Sequence, residues 1–162
     1  MNLFITHCNP DISAQALDDK RLIKQVLECG QLLSTALRQR GSTLSALYKA
    51  THWNHPVTKW VGQTSGNFFW TIDFIGACAN EYTFRFSKRH ATLFLLPDII
   101  QEKHLIPHGP LLPFQNSAAN SSLGLDFTDI QEPALAYKKY LMAKWALEQP
   151  KWTKRERPVW NV

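Results

Sequence analysis

Leu22, Val26, Cys29, Leu33 and Leu37 follow one another at steps of four, three, four and four residues. A chain with 3.6 residues per turn lays these side chains in one apolar stripe, and such a stripe has to be buried against another element. The dominant feature is therefore a long amphipathic helix. Asn9-Pro10-Asp11 reads as a turn leading into it, the helical pattern runs from Ile12, and Gly41 is a C′ glycine that ends it. A second helix is predicted from Pro56 to about Arg89, with proline in the first turn where its missing N–H has no partner to lose. Trp60, Phe68, Ile72, Ile75, Ala79 and Tyr82 form its expected buried side. Gly62, Gly66 and Gly76 interrupt it at a cost of about 1 kcal/mol each relative to alanine, so they are expected to mark close backbone approaches. A third helix is predicted from Pro133 to about Glu148, stopped by Pro150.

The connections are long. Ser42 to Asn54 holds one short helical turn around Leu44 to Tyr48, and His90 to Asp129 is punctuated by Pro97, Pro107, Pro110 and Pro113. Long irregular loops of that kind in small proteins are often functional. No stretch alternates with period two, and no repeat is visible. At 162 residues the chain suits one domain, 1–162, and the expected fold is all-α: three main helices with long irregular connections.

Composition narrows the classes. A hydrophobic content of 44 % with 12 % aromatics argues for a packed core rather than a disordered chain. Cys8, Cys29 and Cys78 are odd in number and widely spaced, which supports neither a disulfide framework nor a thiolate zinc site and fits a reducing compartment. No membrane-length apolar run and no signal peptide are present, so a soluble cytoplasmic protein is expected, most simply a monomer. The net charge of +5 is concentrated at the end: Lys138 to Arg157 holds seven basic residues and two acidic ones. Polyanions are attracted to such a patch, and a nucleic-acid partner follows as one reading; a solvated basic helix end is the other.

Three constellations could carry chemistry. Lys20, Lys24 and Glu28 succeed one another at i,i+4 on the first helix, with Asp19 just before them and Gln31 just after; they form either a reactive polar row or an ordinary surface ladder. "THWNHPVTKW" at residues 51–60 crowds His52, Asn54 and His55 at the mouth of the second helix. His52 and His55 could ligate a metal, His52 and Asn54 could cap or bond the backbone around Pro56, or the segment could line a substrate pocket, but no HExxH or cysteine pair completes a zinc set, and no metal is expected. At the end, Trp145, Trp152 and Trp160 alternate with Lys144, Lys151, Lys154, Arg155 and Arg157. Aromatic faces beside cations suit base stacking and phosphate contact, each stacked base being worth roughly 1–3 kcal/mol; alternatively the indoles fold the tail onto the core.

"SAQALDDKRLIKQVLECGQLLSTALRQRG", "NHPVTKW", "EYTFRF" and "KWTKRERPVW", taken in order along the chain, resemble the phage endonuclease V, or pyrimidine dimer DNA glycosylase, family, of which this would be a distant phage-type member. That resemblance implies an all-α DNA repair enzyme without metal or cofactor. In the family the α-amino group at the N-terminus attacks C1′ of the damaged nucleotide, a glutamate on the first long helix assists, and a Schiff base leads to strand cleavage. The chemistry is sound, because α-amines ionise near pH 8 and an appreciable fraction is neutral and nucleophilic at pH 7.

Two positions depart from the family pattern. The family exposes a threonine amine by removing the initiator Met, whereas Asn2 is bulky enough to favour retention of Met1. Lys20-Arg21-Leu22 also places arginine where the family glutamate is expected, leaving Asp19 and Glu28 as the candidate acid/base residues. The expected function is thus a DNA glycosylase acting on damaged or modified pyrimidines in double-stranded DNA, with abasic-site lyase activity as an extension. Met1 or Asn2 would supply the amine, and Lys20, Lys24, Gln31, His52, Asn54 and His55 would line the pocket. Lys151, Trp152, Lys154, Arg155 and Arg157 would grip the DNA backbone. The competing expectations are an enzyme cleaving the glycosidic bond of free or modified nucleotides, and a non-catalytic nucleic-acid binder.

Overall fold

The computed structural model describes residues 1–162 and contains six α-helices: α1 (Pro10–Ala16), α2 (Asp19–Gln39), α3 (Pro56–Val61), α4 (Ser65–Phe86), α5 (Leu96–Gln101) and α6 (Pro133–Leu147). The all-α expectation holds, apart from one two-stranded antiparallel ribbon, β1 (Ala119–Asn120) with β2 (Leu125–Asp126). Helix α2 is central: its stripe Leu22, Val26, Cys29, Leu33 and Leu37 is fully buried, and α3 and α4 pack on it while α1 packs on α4. No helix is long and apolar enough to cross a membrane.

Two of the three predicted helices are each broken in two by a side chain that outcompetes the helical backbone. At Leu17–Asp18 the chain turns extended, and the Asp18 carboxylate caps α2 by accepting from the Arg21 N–H. At Gly62–Thr64 the Thr64 hydroxyl oxygen caps α4 by accepting from the Asn67 N–H, while the Asn67 amide donates to the Trp60 carbonyl and accepts from the Leu112 N–H. Capping residues satisfy the orphan donors of a new helix start, which a single uninterrupted helix would not need. Gly66 is a close approach as expected, because a Cβ there would collide with the backbone of Pro110 and Leu111. Gly76 is not; a Cβ there would meet nothing.

The expected burial in α3 and α4 is right for Trp60, Phe68, Ile75 and Ala79, while Ile72 and Tyr82 are half-buried at the rim. The connection from His90 is more ordered than its prolines suggest. Residues Ala91–Leu105 form α5 flanked by two 3-10 turns, since proline at a helix's first turn starts it rather than breaking it.

The first six residues thread into the interior. Leu3, Phe4 and Ile5 belong to the core, and Phe4 stacks on Tyr140 and meets Tyr137 edge-on, so the N-terminus is wedged between α2 and α6.

Candidate active site

Gln25 on α2 is wholly buried and uses both ends of its amide on the N-terminal segment: Nε2 donates to the Asn2 carbonyl at 2.9 Å, and Oε1 accepts from the Phe4 N–H at 3.1 Å. A buried amide satisfied at both ends fixes its partner firmly, because loosening it would strand polar atoms away from water. The Asn2 side chain is fixed as well, its Nδ2 donating to the Ser117 carbonyl at 2.9 Å and its Oδ1 accepting from the Tyr137 hydroxyl at 3.2 Å. The consequence lies one helical turn past Gln25. There the Asn2 backbone nitrogen donates to Glu28 Oε2 at 3.2 Å.

Around that contact the structure brings together most of the predicted polar row. Lys20, Lys24 and Glu28 line a narrow cavity of about 60 Å³ with Phe4, Arg21 and Lys144. Gln31 is half-buried on the same face of α2, one turn beyond Glu28. The 51–55 segment does not line this cavity. Burial holds the His55 imidazole below its usual pKa, helped by the nearby N-terminal ammonium and by His52, so these groups share one neighbourhood. The cap of α3 is made not by His52 or Asn54 but by His55, whose Nδ1 accepts from the Val57 N–H because it is the residue directly before the helix. His52, at φ +49°, bonds Thr51 through Nδ1, and its ring meets that of His55 at 6.3 Å. Asn54 is exposed and does not cap the helix.

Asp19 lies elsewhere. Its carboxylate accepts from Arg85 Nη1 at 3.0 Å and from both the N–H and the hydroxyl of Thr153, tying the C-terminal tail to α4. Nine residues of helix, about 13 Å, separate it from Glu28. The tail itself is folded back. Trp145 is buried and gives its indole N–H to Asp18 at 2.7 Å, Trp160 stacks on it, and Trp152 meets it edge-on while donating to the Ala16 carbonyl. Arg155 makes two bonds to Glu81, Lys154 donates to the Phe84 carbonyl, and Arg157 lies over the rings of Trp145 and Trp152. Lys151 is exposed, and its carbonyl accepts from the Asp19 N–H.

Arg21, at the position where a glutamate was expected, is a structural cation. It is nearly buried and binds Asp18 and Glu148.

The residue-by-residue geometry has a counterpart in comparison with known proteins. The family model described as pyrimidine dimer DNA glycosylase matches residues 1–93, more than half of the chain. The chain belongs to the pyrimidine dimer DNA glycosylase family. No curated protein and no solved structure matches it. The matched region of this glycosylase family member contains the N-terminal segment, all of α2 and the 51–55 segment, and hence the Asn2–Glu28 contact.

Sequence reasoning missed the contribution of α6. Tyr140 packs on Phe4 close to Arg21 and Glu28, and burial raises its hydroxyl above the usual tyrosine pKa. Lys144, one turn on, lines the cavity, and burial lowers its pKa, with Arg21, Lys20 and Lys24 adding to the effect. The available signal was their i,i+4 spacing, which puts both on one face; Lys144 read instead as the first cation of the tail.

Proposed function

We propose that the cleft between α2, α6 and the N-terminus cleaves the N-glycosidic bond of damaged or modified pyrimidines in double-stranded DNA, and that the same centre carries abasic-site lyase chemistry. The observation that carries this reading is the 3.2 Å contact between the nitrogen of residue 2 and the Glu28 carboxylate, at the very start of the chain. An amine there attacks C1′; the new N–C1′ bond forms as the bond to the base breaks, and the base departs with the electron pair. Glu28 accepts the proton that the nitrogen of the attacking neutral amine loses as the N–C1′ bond forms, and it faces the positive charge that develops on the sugar. The C1′–O4′ bond then opens, O4′ taking a proton back from Glu28, and the resulting iminium acidifies the C2′–H, which allows β-elimination of the 3′ phosphate.

Lys20, Lys24 and Lys144 place cations around the cavity for the phosphates of the extruded nucleotide, while Gln31 follows Glu28 one turn on along α2. Damaged bases stack poorly, so their extrusion costs less than that of an intact pair. The attacking amine belongs to Met1 as the sequence stands. Loss of Met1 would turn the Asn2 nitrogen itself into an amine already bonded to Glu28.

Borohydride trapping with duplexes carrying a cyclobutane dimer, an abasic site or neither tests this reading. A covalent adduct mapped to the Met1 or Asn2 amine is the expected result, and it also tells which of the two reacts. The absence of any adduct, with base release intact, would limit the activity to glycosylase alone.

A second reading, cleavage of free or modified nucleotides, is favoured by one feature. The tail cations Lys154 and Arg155 are engaged with Phe84 and Glu81, which leaves fewer of them for a long DNA backbone. Turnover of small substrates that survives charge reversal of Lys151 and Lys154 would support it.

A further inference from the structure

A cavity of about 310 Å³ opens between Thr6, His7, Cys8 and Phe114 and the first turn of α6 at Glu132–Ala134, with Lys138 one turn higher; it shares no lining residue with the Glu28 cavity. Its wall is rich in donors that have nothing to donate to. The Thr6 hydroxyl is the buried side-chain oxygen without a hydrogen-bond partner, in a residue only 2 % exposed. Helix α6 starts without a side-chain cap; Pro133 has no N–H, and the N–H groups of Ala134 and Leu135 have no backbone partner. Lys138 is half-buried and in no ion pair. The His7 Nδ1 accepts from the Asn9 N–H at 2.9 Å, which puts the proton of the neutral ring on Nε2 as one more donor. Against these stands one carboxylate, that of Glu132, which is exposed and makes no capping hydrogen bond.

A buried hydroxyl without a partner is costly, and a helix start together with a lysine is the arrangement that anions satisfy. We infer that this cavity is a phosphate-binding site separate from the Glu28 cleft: the phosphate oxygens accept from the first turn of α6, Lys138 and the Thr6 hydroxyl, and Phe114 gives an apolar wall to the attached sugar or base. A tetrahedral oxyanion presents enough acceptors for all three sets of donors at once. The site does not depend on the glycosylase reading, since none of its groups touches Glu28.

The test is an amide-resonance titration of the intact protein with inorganic phosphate, followed at Ala134 and Leu135. Saturable shifts at both are expected, with affinity falling about tenfold in Lys138→Ala and several-fold in the isosteric Thr6→Val, as the loss of a charge-assisted and a neutral hydrogen bond implies. Lys139→Ala, which does not line the cavity, should leave affinity unchanged. Two further arms identify the source of the phosphate. If undamaged duplex DNA shifts the same amides and competes with phosphate, the site holds a backbone phosphate; if thymidine monophosphate does so and DNA does not, it holds a free nucleotide. No saturable shift at these two amides, or an equal loss in Lys139→Ala, would overturn the assignment.

Discussion

Arg21 holds Glu148 through two parallel hydrogen bonds, at 3.0 and 2.9 Å, and so fastens the first turn of α2 to the end of α6 across the edge of the candidate cleft. The same guanidinium reaches Asp18 at 3.2 Å, and Asp18 in turn receives the Trp145 indole N–H. A cation stands where the related enzymes are expected to have a reacting carboxylate, and here its work is to keep two helices in register.

Removing that cation leaves Asp18, buried to 1 % exposure, without its charge partner. Arg21→Met is therefore expected to destabilise the fold by about 3 kcal/mol or more, the usual result of breaking one side of a buried pair. Glu148→Gln, whose side chain is partly solvated, should cost about 1 kcal/mol. Denaturant melts of the two variants check both figures.

Glu28 and Asp19 should separate by phenotype. Glu28→Gln keeps the size and the hydrogen bond from Asn2, so the fold should stand while single-turnover base release falls by about 10²–10⁴-fold, the range of a lost proton-transfer group. Asp19→Asn weakens the ties to Arg85 and Thr153 and should cost about 1–3 kcal/mol of stability with base release almost unchanged. A rate defect in Asp19→Asn comparable with that of Glu28→Gln would reverse the assignment.

The tail should respond to Arg155→Ala mainly by loosening. Its pair with Glu81 is about one third exposed on the arginine side, so solvent screening keeps the loss to about 0.5–1 kcal/mol. Limited proteolysis after Trp152 should speed up before any change in overall melting is seen. Lys151→Glu, by contrast, leaves the core contacts alone and should weaken DNA binding with a shallower salt dependence.

Acid should unfold the protein earlier than it would unfold one with unperturbed groups. The hydrogen bonds from Arg21 hold the Glu148 pKa below the usual 4.5, and the pairs with Arg155 and Arg85 do so for Glu81 despite the opposing effect of its burial. A depressed carboxylate pKa contributes stability that is complete above the unfolded value and lost as pH falls through the folded one. Burial lowers the pKa of His55 and His90 from 6.5, which acts with the same sign in a higher window. Stability should thus be flat between about pH 7 and 8, decline gently below about pH 6.5 and drop steeply below about pH 4.5, and it should fall again at alkaline pH as the buried Cys29, Cys78 and Tyr140, whose pKa values burial raises, ionise on unfolding. A stability maximum near pH 5 in a series of melts would contradict these shifts.

Local pattern determined the helices. The stripe from Leu22 to Leu37 and the prolines at the first turns of α3 and α6 each act within one helix, and each could be read from spacing alone. Helix interruptions at Leu17–Asp18 and Gly62–Thr64 were hidden because their capping bonds draw strength from distant partners such as Trp145 and Pro110.

The candidate site was half legible. The polar row and the His52–His55 segment stood out by composition, but nothing in the sequence distinguishes Asp19 from Glu28, two acids on one helix. What separates them is tertiary: Gln25 and Tyr137 hold Asn2 against Glu28 across 26 residues of chain, while Arg85 and Thr153 claim Asp19. Periodicity records which face a residue occupies, whereas the partner waiting at that face is set by where the rest of the chain comes to lie.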